Sequence, residues 1–206
     1  MKNPAIKGTL FAAVLDDLNG LVESGHIDAG AIESQLTPDE IALLDSKINA
    51  AGWYDIGTYH RMVSMMCDVA GSGSDDYWHE RGHKAAKRMA DAGIYQQMDY
   101  IGRTLASGET DREARFRALA KDMRLLLSVH AAMLNFGEWK TVVDPDHDDR
   151  YRVEISGIRG IEDGIFRAAA GMFNGISELV SSTTVLRWRF ERLGPDLAVI
   201  RMLTPA

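Results

Sequence analysis

Hydrophobic residues recur along this chain with two different periods. Up to about residue 135 they are spaced three or four residues apart, as in Leu10, Val14, Leu18 and Leu21, a spacing typical of amphipathic helices. Beyond Phe136 they alternate with polar residues, which is typical of half-buried strands. The pattern predicts a helical N-terminal two-thirds, followed by a smaller part that contains a sheet.

Local start and stop signals divide the helical part. Residues 37–40 read Thr-Pro-Asp-Glu, in which Thr caps a helix, Pro takes its first position and Glu completes a capping box. We expect this helix to continue through Leu44 and Ile48. Residues 51–54 interrupt the pattern, and residues 71–75 (GSGSD) predict a helix–helix loop. Further helices are predicted over 56–70, 77–92, 94–106 and 110–134.

The C-terminal part reads as four strands around one helix. Residues 139–143 and 151–155 are predicted as one strand pair, joined by a polar turn over 144–149. A helix over 161–180 and a second strand pair over 184–191 and 197–202 follow. These elements indicate an α+β protein, in which a helical N-terminal two-thirds is followed by a small antiparallel sheet of order strand–strand–helix–strand–strand.

The length of 206 residues fits a single domain. We predict one α+β domain over 1–206, made of a helical N-terminal segment (1–50), a helical part (51–135) and a sheet-containing part (136–206). The composition, 46% hydrophobic and 26% charged, is that of a globular protein.

Charge and cysteine content exclude several classes of function. A net charge of -7 argues against a protein that binds the nucleic-acid backbone. The one cysteine, Cys67, excludes an internal disulfide and a cysteine-rich metal module. No run of about 18 apolar residues predicts a membrane span. No targeting segment is visible either, so a cytoplasmic location is expected.

The most specific motif is residues 79–83, His-Glu-Arg-Gly-His, a formal match to H-E-x-x-H. On a helix, His79 and His83 share a face and are placed to hold a zinc ion, with Glu80 as the base of a zinc-dependent hydrolase. Arg81 would put a cation beside the metal, and Gly82 would weaken the helix. The alternative is an amphipathic helix with polar histidines near its solvent edge, and we assign no metal ligand and no catalytic residue.

A second candidate site combines aromatic residues with a methionine-rich helix. Methionine side chains adapt to irregular cavities, and aromatic side chains line apolar ligand sites. The residues predicted to line a pocket are His130, Trp53, Tyr54, Tyr59, Met62, Met66 and Trp139. The same residue types also make an ordinary core, so the existence of a cavity stays open.

Several segments, taken in order, resemble one superfamily, which contains the haem-NO-binding (H-NOX) domains, the vinyl-reductase-type domains and the TRAPP trafficking subunits. The likeness is greatest to an uncharacterised bacterial family abundant in myxobacteria. The residues that carry it are 7–11 (KGTLF), 52–56 (GWYDI) with Tyr59, 80–82 (ERG), 136–139 (FGEW), 156–160 (SGIRG) and Gly171.

The resemblance implies a pocket between a helical half and a small sheet. In H-NOX domains a histidine on the helix before the sheet binds haem, and His130 lies near the matching place. The H-NOX haem-propionate motif, Tyr-x-Ser-x-Arg, is matched by residues 154–158 (EISGI) only at Ser156. Superfamily members often pair, which implies a homodimer.

We therefore predict a non-enzymatic, cytoplasmic domain that senses an apolar small molecule or binds a protein partner, with no haem or other cofactor. Two alternatives remain open, a haem-based gas sensor acting through His130 and a zinc-dependent hydrolase acting through residues 79–83.

Overall fold

The computed structural model describes residues 3–91, 93, 127–128, 132–180 and 186–203. The chain divides into two compact units. The N-terminal unit contains Met1–Tyr77 and His130–Phe136, and the C-terminal unit contains Trp78–Val129 and Gly137–Ala206. The single domain expected over 1–206 stays a prediction. Most of the two helices expected over 94–106 and 110–134 lies outside the described residues.

The N-terminal unit is built mainly of helices. Its elements, in chain order, are β1 (Ala5–Lys7), α1 (Gly8–Glu23), α2 (Ala29–Gln35), α3 (Pro38–Ala42), β2 (Trp53–Asp55) and α4 (Ile56–Ala70). Helix α4 has the bounds expected from its hydrophobic spacing, and α1 packs against it. Strands β1 and β2 were not expected, and β1 differs from the helical prediction for residues 1–50.

The predicted capping box at the start of α3 is confirmed. The Thr37 hydroxyl accepts from the Glu40 backbone N–H, and the Glu40 carboxylate accepts from the Thr37 backbone N–H at 2.9 Å. Helix α3 nevertheless ends at Ala42 rather than continuing through Ile48. The Ser46 hydroxyl donates to the Ala42 carbonyl, and the Leu44 carbonyl accepts from the Asn19 side chain. These bonds engage carbonyls that a longer helix would use.

Strand β1 lies between two partners that are far away in the sequence. It pairs antiparallel with β2, with Ile6 opposite Tyr54. On its other side the Ala5 N–H donates to the Asn135 side chain at 2.6 Å, and the Asn135 N–H donates back to the Ala5 carbonyl at 3.1 Å. Residues near 5 and near 135 are thereby fixed together.

In its described residues, the C-terminal unit combines two helices with a four-stranded sheet. Helix α5 (Asp76–Asp91) begins at the end of the N-terminal unit. It is followed among the described residues by β3 (Glu138–Asp144), β4 (His147–Ser156), α6 (Asp163–Val180), β5 (Trp188–Gly194) and β6 (Leu197–Met202). The sheet is antiparallel in the order β3–β4–β6–β5. The predicted α+β class and the strand–strand–helix–strand–strand order are confirmed.

The two faces of this sheet differ in polarity. Val153, Ile155 and Ile200 are fully buried on one face, and α6 supplies Phe166, which stacks on Phe190 with ring centroids 5.9 Å apart. The opposite face carries charged side chains, among them Arg152, Glu154 and Arg201. Alternation of apolar and polar residues, which predicted the strands, thus separates a packed face from a charged one.

The β3–β4 turn is tighter than the loop expected over 144–149. Only Pro145 and Asp146 form it, because Asp144 pairs across the strands with His147. The buried Asp144 carboxylate accepts from the Asp146 N–H at 2.9 Å and from the Arg201 guanidinium at 2.6 Å. Since Arg201 also bonds Asp146, one guanidinium binds both carboxylates at this turn.

No helix in the described part of the chain is long and apolar enough to cross a membrane.

Candidate functional site

The methionine-rich face of α4 lies in the core of the N-terminal unit. Asp55 caps the helix by accepting from the Thr58 N–H at 2.8 Å, which fixes the direction in which the helix starts. Met62 and Met66 are fully buried, as is their neighbour Met65, and Tyr59 is nearly so. The structure therefore brings together three of the residues predicted to line a pocket, Tyr59, Met62 and Met66, on one buried face of α4.

The two aromatic residues of β2 point in different directions, because successive strand residues alternate. Tyr54 stacks on Phe11 with ring centroids 4.7 Å apart, and its hydroxyl accepts from the Asn49 N–H at 2.9 Å. Trp53 is 46% exposed, with the Lys7 ammonium 4.3 Å from its ring centroid. Tyr54 is thus half-buried against Phe11, whereas Trp53 is a surface residue.

The two remaining pocket candidates are Trp139 and His130. Trp139 is on β3 in the C-terminal unit, with its ring centroid 6.2 Å from that of Phe166. His130 lies outside the described residues, so its role stays a prediction.

Residues 79–83 lie on a helix, as the H-E-x-x-H pattern predicts, and both histidines are engaged. The Nε2 atom of His79 is 2.7 Å from Nδ2 of Asn174, and Nε2 of His83 is 2.7 Å from Oε2 of Glu178. Glu80 is exposed. Among the described residues, no group of three or more His, Cys, Asp or Glu side chains is placed to hold a metal ion. The two imidazoles tie α5 to α6.

Gly82, inside the same motif, lies where α5 and α6 touch. A Cβ atom on Gly82 would overlap the Ala168 backbone, and one on Gly171 would overlap the His79 carbonyl. Gly82 is therefore required by the close approach of two backbones.

Asn174 and Glu178 are polar residues that the sequence reasoning missed. They are four residues apart on α6, as His79 and His83 are on α5, so the two pairs meet in register. The signal available in the sequence was the repeated four-residue spacing of polar residues on two otherwise apolar helix faces.

An ionic cluster in the N-terminal unit was also missed. The Glu40 carboxylate is nearly buried and accepts from the Arg61 guanidinium and, at 2.7 Å, from the Thr58 hydroxyl. Burial tends to raise the pKa of Glu40. Hydrogen bonds from Arg61, the Thr37 backbone and Thr58 outweigh burial and lower the pKa to about 2. The cluster joins the starts of α3 and α4, and both oxygens of the Glu40 carboxylate accept hydrogen bonds within it.

Cys67 is a structural residue. Its thiol donates to the Ser74 carbonyl at 3.2 Å and is buried at the end of α4. Burial, with the charges of Asp68 and Asp75, raises the pKa of the thiol, which disfavours a reactive thiolate.

The positions that match the haem-propionate motif do not fit haem. Glu154, at the place of the motif's Tyr, has its carboxylate paired with Arg152, and a carboxylate repels a propionate. Ile158, at the place of the motif's Arg, is fully buried and offers no hydrogen-bond donor. The residues that would hold the two propionates are thus replaced by an acid and an apolar side chain.

Comparison with known proteins identifies the fold. No protein-family model matches the chain, and no curated protein matches it. Solved H-NOX structures do match over nearly its whole length. A mutant of T. tengcongensis H-NOX is 14% identical, with a TM-score of 0.54 over 98% of this chain and 100% of that chain. A mutant of the K. algicida H-NOX protein, in the Fe(II) unliganded state, is 13% identical, with a TM-score of 0.58 over 96% and 95%.

A third match is the S. oneidensis H-NOX protein in the Fe(II)NO ligation state. It is 10% identical, with a TM-score of 0.55 over 96% of this chain and 98% of that chain. At such low identity the likeness concerns the arrangement of the backbone and not the chemistry of the site. The chain has an H-NOX-like α+β fold.

Proposed function

We propose that this chain is a haem-free, non-enzymatic domain with an H-NOX-like fold, which senses an apolar small molecule or binds a protein partner. The observation that carries the proposal is the replacement of the propionate-binding pair by Glu154 and Ile158. Haem carries two negative propionates, and burying them without donors costs several kcal/mol per charge, on the order of the values for buried unpaired ions.

The interior of the N-terminal unit supports an apolar rather than a charged ligand. Met62 and Met66 present flexible, uncharged side chains, which repack around ligands of varied shape. In the same unit, the ionised side chains of Glu40 and Arg61 pair with each other. A ligand accepted at the buried face of α4 would meet Tyr59, Met62 and Met66.

The engagement of both histidines in residues 79–83 supports the non-enzymatic part of the proposal. A zinc hydrolase needs two imidazoles free to bind the metal and a carboxylate near the bound water. Both Nε2 atoms already have partners on α6.

Elemental analysis and haem titration of the purified, untagged protein test this proposal. We expect less than a tenth of an equivalent of iron and of zinc per chain, and no saturable Soret shift on adding one equivalent of haemin. Stoichiometric haem with a Soret band lost in His130→Ala would replace the proposal by a haem-based gas sensor. Stoichiometric zinc that is lost in His83→Ala would replace it by the metal-dependent alternative.

Mass spectrometry of an organic extract of the same protein separates the two forms of the proposal. A stoichiometric apolar molecule, with its amount reduced at least fivefold in Met66→Lys and retained in Met66→Leu, would identify the sensing form. An empty extract directs the search to a protein partner. Circular dichroism of both variants checks that they fold.

We also propose that the chain forms a homodimer in the cytoplasm. Asn174 bonds both backbone groups of Trp188 and so occupies part of the β5 edge, which leaves β3 as the edge we propose for pairing. Light scattering coupled to size-exclusion chromatography should give twice the chain mass of 22.8 kDa. A single-chain mass at high concentration would reject the dimer.

A further inference from the structure

The contact between α5 and α6 is held by two side-chain bonds on a backbone-to-backbone seam. Gly82, Gly171 and Gly175 leave no space for a Cβ between the helices. Directly beside this seam, His79 bonds Asn174 and His83 bonds Glu178. Because the backbones touch, the contact contains no side chains that could rearrange when either hydrogen bond changes.

The orientation of the Asn174 amide is fixed by strand β5. Its Oδ1 atom accepts from the Trp188 N–H at 2.7 Å, and its Nδ2 atom donates to the Trp188 carbonyl at 3.1 Å. Exchanging the oxygen and nitrogen would place a donor against the N–H and an acceptor against the carbonyl. The backbone of Trp188 therefore identifies Nδ2 as the amide atom that faces His79.

The protonation state of His79 follows from that orientation. An amide nitrogen has no acceptor capacity, so at 2.7 Å the Nε2 atom of His79 must be the acceptor. An imidazole with an acceptor nitrogen is neutral. Protonation at Nε2 would set two donors against each other inside a contact in which Asn174 is buried.

His83, one helical turn later, has the opposite preference. Glu178 can only accept, so Nε2 of His83 donates to it, and a protonated ring donates more strongly. The bond from His83 lowers the pKa of Glu178, with burial opposing and Arg187 adding to the effect. The Nε2 atoms of the two histidines thus have opposite roles, acceptor in His79 and donor in His83.

Among the described residues, several charged side chains on the elements packed against α5 have partners of their own. On α6, Asp163 pairs with Arg192 and Arg167 lies over the Phe190 ring. At β5, Arg187 pairs with Glu178 and Glu191 approaches Arg201. On α5 itself, Glu80 and Lys84 are exposed and Arg81 is buried. The partner of His79 on α6 is therefore the neutral Asn174, whereas the partner of His83 is a carboxylate.

We propose that His79, Asn174 and the Trp188 backbone form a pH-sensitive latch that joins α5 to the start of β5, while the His83–Glu178 bond joins α5 to α6 independently of that latch. Acidification protonates His79, breaks its bond to Asn174 and weakens the two hydrogen bonds between Asn174 and the Trp188 backbone. The His83–Glu178 bond needs no acceptor nitrogen on the imidazole, so the helices stay attached while the start of β5 loosens. This inference does not depend on what the domain binds.

Direct observation of the histidine tautomers in the wild-type protein is the first test. Long-range nitrogen–proton NMR spectra near neutral pH should show His79 with its proton on Nδ1 and none on Nε2. They should show His83 with a proton on Nε2. A proton on Nε2 of His79 at neutral pH would overturn the proposal without the need for any variant.

Hydrogen exchange at the Trp188 amide is the second test, read as a protection factor so that the intrinsic pH dependence cancels. Between about pH 7.5 and 5.5, on either side of the ordinary imidazole pKa of about 6.5, wild-type protection should fall by about tenfold. His79→Gln, whose amide oxygen still accepts from Asn174, should keep its protection. The matched control His83→Gln should still lose it.

Asn174→Asp supplies a reversal of sign. A carboxylate accepts from both Trp188 N–H and protonated His79, so Trp188 protection should rise on acidification in this variant. Equal pH dependence of Trp188 protection in wild type and His79→Gln would overturn the latch, as would unchanged wild-type protection over this range.

Discussion

The helices of the two units are packed by different chemistry. In the N-terminal unit α1 packs against α4, and the two helices bury large side chains such as Phe11, Met62 and Met65. In the C-terminal unit α5 meets α6 through glycine, with hydrogen bonds beside the contact. Flexible side chains fill space in many ways, whereas touching backbones have one separation. The first unit should therefore tolerate changes of side-chain shape, and the second should tolerate almost none at its seam.

The largest expected effect is that of Gly171→Ala. The new Cβ would overlap the His79 carbonyl, so the helices must separate and lose both interhelical histidine bonds. We expect a loss of at least about 4 kcal/mol in the free energy of unfolding, above the usual range for overpacking. Urea unfolding followed by circular dichroism measures it.

Gly20→Ala is the matched control for that variant. Gly20 is in α1, and a Cβ there would meet nothing within 4 Å. Because Ala favours a helix over Gly, this variant should gain about 0.5 to 1 kcal/mol. Similar losses in the two variants would show that the seam is not tight and would remove the contrast between the units.

Met65→Ala should have the next largest effect. Met65 is fully buried in the N-terminal unit, so truncation leaves a cavity and should cost about 3 kcal/mol. Met65→Leu keeps the volume and should cost less than about 1.5 kcal/mol. If the leucine variant is as unstable as the alanine variant, the core of this unit tolerates changes of side-chain shape no better than the glycine contact between α5 and α6 does.

The Glu40 cluster sharpens the comparison through pH. The folded-state pKa of Glu40, about 2, is below its ordinary value of 4.5. The stabilisation is therefore present above about pH 4.5 and is lost as the pH falls towards 2. Allowing for the half-exposed Arg61 guanidinium, we expect Glu40→Gln to cost about 2 kcal/mol at neutral pH.

That difference between wild type and Glu40→Gln should shrink as the pH falls, and urea titrations at several pH values follow it. The window lies well below the range in which imidazoles titrate. The Glu40 cluster of the N-terminal unit and the His79–Asn174 bond of the C-terminal unit should consequently be lost at different pH values. A constant difference down to about pH 2 would mean that Glu40 is not held ionised by its neighbours.

The smallest effect is expected at the surface of the N-terminal unit. Lys7→Gln removes the cation over the exposed Trp53 ring and should cost about 0.5 kcal/mol. Thermal unfolding can detect this change, with Lys47→Gln as a surface control that should be neutral. A loss above about 2 kcal/mol would show that Trp53 takes part in packing rather than lying at the surface.

Periodicity predicted the long elements of the fold and failed for the short ones. Helix α4 and strand β6 have the bounds expected from their hydrophobic spacing. Strands β1 and β2 have three residues each, too few to show an alternation. The end of α3 at Ala42 depends on bonds from Ser46 and Asn19, and Asn19 comes from a different helix that the local pattern does not include.

The candidate site was less predictable, because its residues act across elements. Tyr59, Met62 and Met66 were placed on one helix face by spacing alone, but spacing does not distinguish a core from a pocket. The bonds of His79 and His83 depend on Asn174 and Glu178, about 95 residues further on. A motif that formally matches H-E-x-x-H thus lies on one side of a helix contact.

The position of β1 has a consequence for synthesis on the ribosome. Ala5 completes its hydrogen bonds only with Asn135, which is translated long afterwards. At typical rates of about 5 to 20 residues per second, the strand waits on the order of ten seconds for this partner. During that interval β1 has at most β2 beside it. The N-terminal unit therefore completes its fold only after residue 135 has been translated, and it is exposed to chaperones until then.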